Sequence, residues 1–138
     1  MVKNINNHVI VCGFGILGRK IVDVLAEHGV KFLIVDIDPK VMSIIKEYGY
    51  EYVEGDATRS KVLREANIEN AKAIAIALDD DAKNLFIVLT ARDLNKDIFI
   101  AARANDEFVR GKLIEAGADY VVMPQKAASR EIVDELLK

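Results

Sequence analysis

Apolar residues recur along the chain in two rhythms. Short continuous runs, bounded by glycine or acidic residues, alternate with longer stretches whose apolar positions lie three or four apart. The short runs predict strands at Val9–Cys12, Phe32–Val35, Tyr50–Val53, Ala73–Ala77, Ile98–Ala102 and Tyr120–Met123. The longer stretches predict helices. Ile16 to His28 carries a stripe of Ile16, Ile21, Val22, Leu25 and Ala26, and Gly29 marks its end. Asp38-Pro39 opens a second helix, with Val41, Ile44 and Ile45, that ends near Gly49. Thr58 is placed to cap a short helix through Ala66. Further helices are expected from about Ala82 to Leu94 and from the Asn105-Asp106 cap to Ala116-Gly117. Pro124 should stop the last strand, with Ser129 to Leu137 a final helical piece.

Strands that are apolar throughout, rather than alternating, belong to parallel sheets covered by helices on both faces. The alternation of strands and helices therefore predicts an α/β fold, a Rossmann-type doubly wound parallel six-stranded sheet. Right-handed crossovers and two βαβαβ halves give the order 3-2-1-4-5-6. In such sheets a ligand sits beyond the carboxyl ends of the strands, where the order reverses. That point lies between the loops after the first and fourth strands.

The residues at that point carry chemistry. The first strand runs into Gly13-Phe14-Gly15-Ile16-Leu17-Gly18, and a helix follows. In this pattern the first glycine permits the turn, the second lets a pyrophosphate approach bare backbone, and the third lets helix and strand pack closely. The free amides and dipole of the helix start favour an anion. Asp36 closes the second strand, at the spacing of a ribose-binding acid. A carboxylate there accepts from both ribose hydroxyls and repels a 2′-phosphate, which favours NAD(H) or an adenine nucleotide (AMP, ADP or ATP) over NADP. Its alternative role is to cap a turn with Asp38. The candidate contacts are the turn from Gly13 to Gly18, Asp36 with Ile37, Asp56-Ala57-Thr58, Leu78 and Arg103. Asp56 and Thr58 serve equally well as turn and helix caps. Arg103 could hold phosphate oxygens as a fork or form a surface ion pair. Arg19, just beyond the third glycine, could reach a phosphate or lie solvated on its helix.

Composition narrows the picture. The 138 residues are 51% hydrophobic and 30% charged, with net charge −3, enough apolar material for one globular core. No basic cluster suggests nucleic acid. One cysteine excludes an internal disulfide and fits a reducing compartment. The tail Met1–Asn7 is too polar for a secretory signal, and no run is long enough to span a bilayer, so no direct membrane insertion is expected. Residues 1–7 read as a polar tail, 8–123 as the nucleotide-binding domain and 124–138 as a C-terminal crossover or dimer helix.

Two helices suggest partners. Leu85-Phe-Ile-Val-Leu-Thr-Ala91 is apolar on nearly every face, whereas a helix lying on a sheet needs only one apolar stripe. Its second cover is expected from another subunit, and Ile132, Val133, Leu136 and Leu137 could exchange between subunits. A small NAD-dependent oxidoreductase, or the cofactor domain of one, is the competing reading. Against it, His8 precedes the first strand, His28 ends the first helix and Cys12 lies within a strand, so none is placed for proton transfer. No catalytic residue and no metal site is expected. The cluster Asp79-Asp80-Asp81 could offer oxygen ligands to a cation, but such a cluster more often caps a helix.

Taken as an ordered set, His8-Val-Ile-Val-Cys-Gly-Phe-Gly, Val35-Asp-Ile-Asp38, Gly55-Asp-Ala-Thr58, Ala77-Leu-Asp-Asp-Asp81, Asn84, Ala102-Arg-Ala104 and Gly117-Ala-Asp119 leading to Pro124 resemble the RCK/KTN family. These are cytosolic regulatory domains of potassium channels and transporters. The resemblance implies nucleotide binding that biases a homodimer or larger ring and so gates a membrane-embedded potassium pore, at the cytoplasmic face of the membrane. By motif match Gly13, Gly15, Asp36, Asp56, Thr58 and Arg103 would touch the nucleotide. Two departures stand out. Ile16 occupies a position where many transporter-type members carry an arginine for a terminal phosphate. Arg103 and Asn105 stand where calcium-gated members carry acids, so that only Asp81 matches a calcium ligand.

Overall fold

The computed structural model describes residues 1–138. In chain order the elements are β1 (Val9–Cys12), α1 (Ile16–Glu27), β2 (Phe32–Asp36), α2 (Pro39–Tyr48), β3 (Tyr52–Glu54), α3 (Ser60–Glu65), a 3₁₀ turn (Ile68–Asn70), β4 (Ala73–Ile76), α4 (Asp81–Leu94), β5 (Phe99–Arg103), α5 (Glu107–Ala116), β6 (Tyr120–Val122) and α6 (Pro124–Leu136). All six strands run parallel in the order β3-β2-β1-β4-β5-β6. This is the expected doubly wound sheet, with its reversal between β1 and β4.

Alternate residues of β1 serve opposite faces. Ile10 and Cys12 join Leu33, Ile74, Ile76 and Ile100 under α3, α4 and α5. Val11 and Ile34 meet Val22 of α1 and Met42 and Ile45 of α2 on the other face. Burying each large aliphatic side chain stabilises by about 1.5–3 kcal/mol, so these two layers hold the fold. By contrast, α6 has no buried residue, and the single chain gains little from it.

Register sets up the crevice. Cys12 pairs with Val35 on one side and Ile76 on the other, and Ile76 pairs with Ala102. The carboxyl ends of β2, β1, β4 and β5 are therefore level. Asp36, Gly13, Ala77 and Arg103 emerge along one rim.

Three local expectations are corrected, and one element is new. The last helix starts at Pro124, not Ser129. Proline suits the first helical turn, where an amide would lack a partner in any case. Thr58 does not cap α3. Arg59 holds that position without a side-chain bond, and the Thr58 hydroxyl donates to Asp56 instead. The third strand begins at Tyr52 rather than Tyr50. The 3₁₀ turn at Ile68–Asn70 was not anticipated from the pattern.

Candidate functional site

The glycine turn shows why each glycine stands where it does. Gly13 has φ of +94°, open to glycine but strained for other residues. A Cβ on Gly18 would lie 1.7 Å from the Gly13 carbonyl oxygen, so only glycine lets α1 approach the turn. Gly15 differs. Nothing lies within 4 Å of the position its Cβ would take, which leaves open space over the backbone. Gly15 is also the N-cap of α1 and supplies no capping side chain. The first backbone bond of the helix is Arg19 N–H to the Gly15 carbonyl, 2.9 Å. The amides from Gly15 to Gly18 have no backbone partner, as an anion site requires.

Asp36 does more than end a strand. Its Oδ2 accepts from the Phe14 amide at 2.7 Å and its Oδ1 from the Asp38 amide at 2.9 Å. The carboxylate thus ties the β2 loop to the glycine turn and shapes the entry to α2. A carboxylate offers about four acceptor positions, so capacity remains for two ribose hydroxyls. Turn capping and ligand contact are compatible here.

Beside it, Asp56 Oδ1 accepts from the Thr58 hydroxyl at 2.7 Å and the Thr58 amide at 2.9 Å. These bonds hold the Asp56 pKa below its ordinary value, with smaller help from Lys83 and Arg59. Asp56 is accordingly a firm carboxylate at neutral pH.

The crevice has two adjoining lobes that share Gly13, Asp36 and Leu78 as walls. One, of about 180 Å³, is completed by Val35, Ile37, Gly55, Asp56, Ala57 and Lys83. The other, of about 430 Å³, is completed by Gly15, Ile16, Ala77, Asp79 and Arg103. The first has the apolar walls and carboxylates suited to adenine and ribose; the second has the open backbone and guanidinium suited to phosphate. The residues present thus fit a nucleotide.

Nine of the sequence candidates line these lobes: Gly13, Gly15, Ile16, Asp36, Ile37, Asp56, Ala57, Leu78 and Arg103. Four do not. The Phe14 side chain is buried in the α1–α2 layer, and its amide is taken by Asp36. Leu17 lines neither lobe, Gly18 acts through packing, and Thr58 lines an adjoining groove with Ala82, Lys83 and Phe86. Sequence reasoning missed Lys83 as a lining residue. Its one available signal is its place three residues after the Asp80 cap, on the first turn of α4.

Arg103 is more than a surface cation. It donates to Asp79 at 3.1 Å and to Asn105 at 3.4 Å, its side chain is only 18% exposed, and its Nε is buried without a protein partner. Arg19 instead lies 5.1 Å over the Phe14 ring, in a groove on the α1–α2 side of the turn. The three acids separate. Asp79 pairs with Arg103, Asp80 caps α4 through the Lys83 amide at 3.0 Å, and Asp81 accepts the Asn105 amide at 3.1 Å.

Neither histidine lines a lobe, nor does the cysteine. His8 is fully buried, with Nε2 on the Ala66 carbonyl at 2.9 Å. Burial pushes the Cys12 thiol up to about 12, with Asp36 adding to the rise. His28 bonds its own helix at the Val24 carbonyl.

Sheet order, glycine turn and acidic β2 terminus define a Rossmann-type domain of the nucleotide-binding class. The TrkA-N domain model matches residues 9–124, and the chain belongs to that family. Potassium channel protein 1 of Methanocaldococcus jannaschii is 38% identical over 133 residues, which is 95% of this chain and 40% of that protein. The chain thus spans about two fifths of such a relative. Among solved structures, the TrkA-N domain of the inner membrane protein ybaL from Escherichia coli superposes with a TM-score of 0.93 at 27% identity, covering 99% of this chain and 100% of that one. The AMP-bound C-terminal domain of Kef from Shewanella denitrificans superposes with a TM-score of 0.83 at 26% identity, covering 95% and 79%. No helix here is long and apolar enough to cross a membrane.

Proposed function

We propose that this domain binds an adenine nucleotide or NAD(H) and regulates a potassium channel or transporter without turning the ligand over. The observation that carries this reading is Asp36, a carboxylate on the wall shared by both lobes and bonded at 2.7 Å to the amide of the glycine turn. The adenosine half would occupy the lobe of Asp36, Asp56 and Ala57, and phosphate the lobe of Gly15 and Arg103. The M. jannaschii potassium channel and the AMP-bound Kef domain support the assignment to a potassium pore and to this ligand class. His8, His28 and Cys12 line neither lobe, which favours sensing over hydride transfer.

The signal would leave through surfaces that the single chain does not cover. Phe86 and Leu89 on α4 are 57% and 51% exposed, and Ile132, Leu136 and Leu137 stand out at the end of the chain. These faces suit a second subunit in a dimer or ring beneath the pore, at the cytoplasmic side of the membrane. A ligand shifts such an assembly only by binding its two arrangements unequally.

Calorimetry with AMP, ADP, ATP and NADH tests the site. Asp36→Ala should weaken every binder by about tenfold or more, the effect of losing charge-assisted bonds. Unchanged affinity in a folded Asp36→Ala chain rules the site out. Oxidation of NADH by the chain with a simple carbonyl substrate rules out the sensing reading.

A further inference from the structure

Asn84 is the fully buried amide in this fold, on the fourth residue of α4 and on the side of the helix that faces the sheet. Its Nδ2 donates to two carbonyls from neighbouring segments, Leu78 at 2.9 Å and Arg103 at 3.1 Å. Leu78 lies in the loop after β4, and Arg103 is the last residue of β5. An amide nitrogen has two donor hydrogens, and both are used here, on the buried side of a seam whose exposed side is tied by the Arg103–Asp79 pair and by the Asn105 amide on Asp81. The orientation is fixed by chemistry, because the opposite one would set the amide oxygen against two carbonyls. Asn84 Oδ1 and Arg103 Nε are both buried without a protein partner in this seam.

The two carbonyls belong to residues that line the crevice. Leu78 walls both lobes, and its amide and Cδ1 lie 3.3 Å from where a Gly13 Cβ would sit. Arg103 brings the guanidinium to the second lobe, and the Asn84 bond holds the backbone from which that side chain reaches. The same stretch of α4 carries the outward Phe86 and Leu89, within about one and a half turns of this inner amide.

We infer that Asn84 is the positioning residue for the phosphate end of the crevice: it fixes the distance between Leu78 and Arg103, and through α4 ties that distance to the exposed face of the helix. This rests on the nucleotide reading given above and assigns Asn84 a part in it. Asn84 touches no ligand. It acts through Arg103, so its loss should fall on phosphate recognition and not on adenosine recognition.

The test compares adenosine with AMP by calorimetry on the full chain. In the unmodified protein AMP should outbind adenosine by roughly tenfold or more, the worth of a charge-assisted bond from Arg103. Asn84→Leu, which keeps the branched shape but has no donors, should reduce that advantage to within about threefold while adenosine affinity changes little. Arg103→Gln should erase the advantage in the unmodified chain and add nothing to Asn84→Leu, as expected for residues that act as one unit. Asn84→Ser, smaller and unable to reach both carbonyls, carries the same comparison if the leucine variant does not fold. An unchanged AMP-to-adenosine ratio in a folded Asn84 variant overturns the inference and leaves the nucleotide site standing. Equal binding of AMP and adenosine by the unmodified chain also overturns it. Binding of neither AMP, adenosine nor NADH overturns the nucleotide reading itself.

Discussion

The carbonyl oxygen of Gly13 lies 1.7 Å from the point where a Cβ on Gly18 would be placed. Neither atom can yield, since one belongs to the turn after β1 and the other to the first turn of α1. The helix and the strand end are therefore in backbone contact.

This relationship separates two glycines of one motif. Gly18→Ala should destabilise the fold by about 3 kcal/mol or more, because the clash is with backbone and not with a flexible side chain. Gly15→Ala should cost far less, about 0.5–1 kcal/mol for the poorer N-cap, since its Cβ enters open space. That same methyl would occupy the path of a phosphate, so affinity for AMP should fall. Urea denaturation and calorimetry on both variants check the pair. Equal loss of stability in the two would contradict it.

Ile16 stands at the mouth of the phosphate lobe with 89% of its surface exposed. It packs against little, so Ile16→Arg should not affect folding. A guanidinium there would add a second cation beside Arg103, and affinity for ATP should rise by about tenfold relative to AMP. Titrating ATP and AMP against the variant reads this directly, and a ratio that does not move counts against the placement of the phosphates.

His8 predicts a pH dependence of stability. Burial holds its pKa below the usual 6.5, the bond to Ala66 opposes that shift and Lys31 adds to it. The unfolded chain takes up the proton first as pH falls. Stability is therefore complete above the unfolded value and declines as pH drops from there toward the folded one. His8→Gln keeps a donor for the Ala66 carbonyl but cannot titrate. Denaturation at pH 7.5 and at about pH 5.5 should show a smaller acid loss in the variant than in the parent. Equal losses would assign the acid response to other groups.

Phe86 and Leu89 give a prediction about assembly. Both are exposed in the single chain, so Phe86→Glu and Leu89→Glu should cost little in folding. If the α4 face is covered by a second subunit, each charge must be desolvated there and association should weaken at least tenfold. Sedimentation at several concentrations measures this. An unaltered oligomer would place the interface on another face.

Much of this fold could be read from the chain because its strands are apolar throughout, which only a parallel sheet between helices accommodates. The lining by Gly13, Gly15, Asp36, Asp56, Leu78 and Arg103 could be read for the same reason, since strand ends fix where loops converge. What escaped were two local choices and the ties made by polar side chains over long sequence distances. Thr58 looked like a helix cap, yet its hydroxyl turns back to Asp56 because the carboxylate is the stronger acceptor. Pro124 looked like a strand stop and proved to be a helix start. Arg92 carried no motif, but its guanidinium bonds the carbonyls of Lys96, Ile98 and Gly117 and the carboxylate of Asp119, and so locks the far end of α4 to the loop before β6. Asn84 entered as one letter of a pattern. Its two bonds depend on how close the loop after β4 comes to the end of β5, which no local spacing encodes.

Cys12 lies at zero exposure in the central strand, one residue before the glycine turn, with its thiol pushed up to about 12. It is the chain's single cysteine. In the native state the sulfur is shielded and almost wholly protonated, and a thiol reagent meets it only when β1 comes away from its neighbours. The rate of labelling thus clocks the opening of the sheet beneath the crevice, with no probe added. A nucleotide that braces the turn would slow that clock, and the slowing would report occupancy from the inside of the protein.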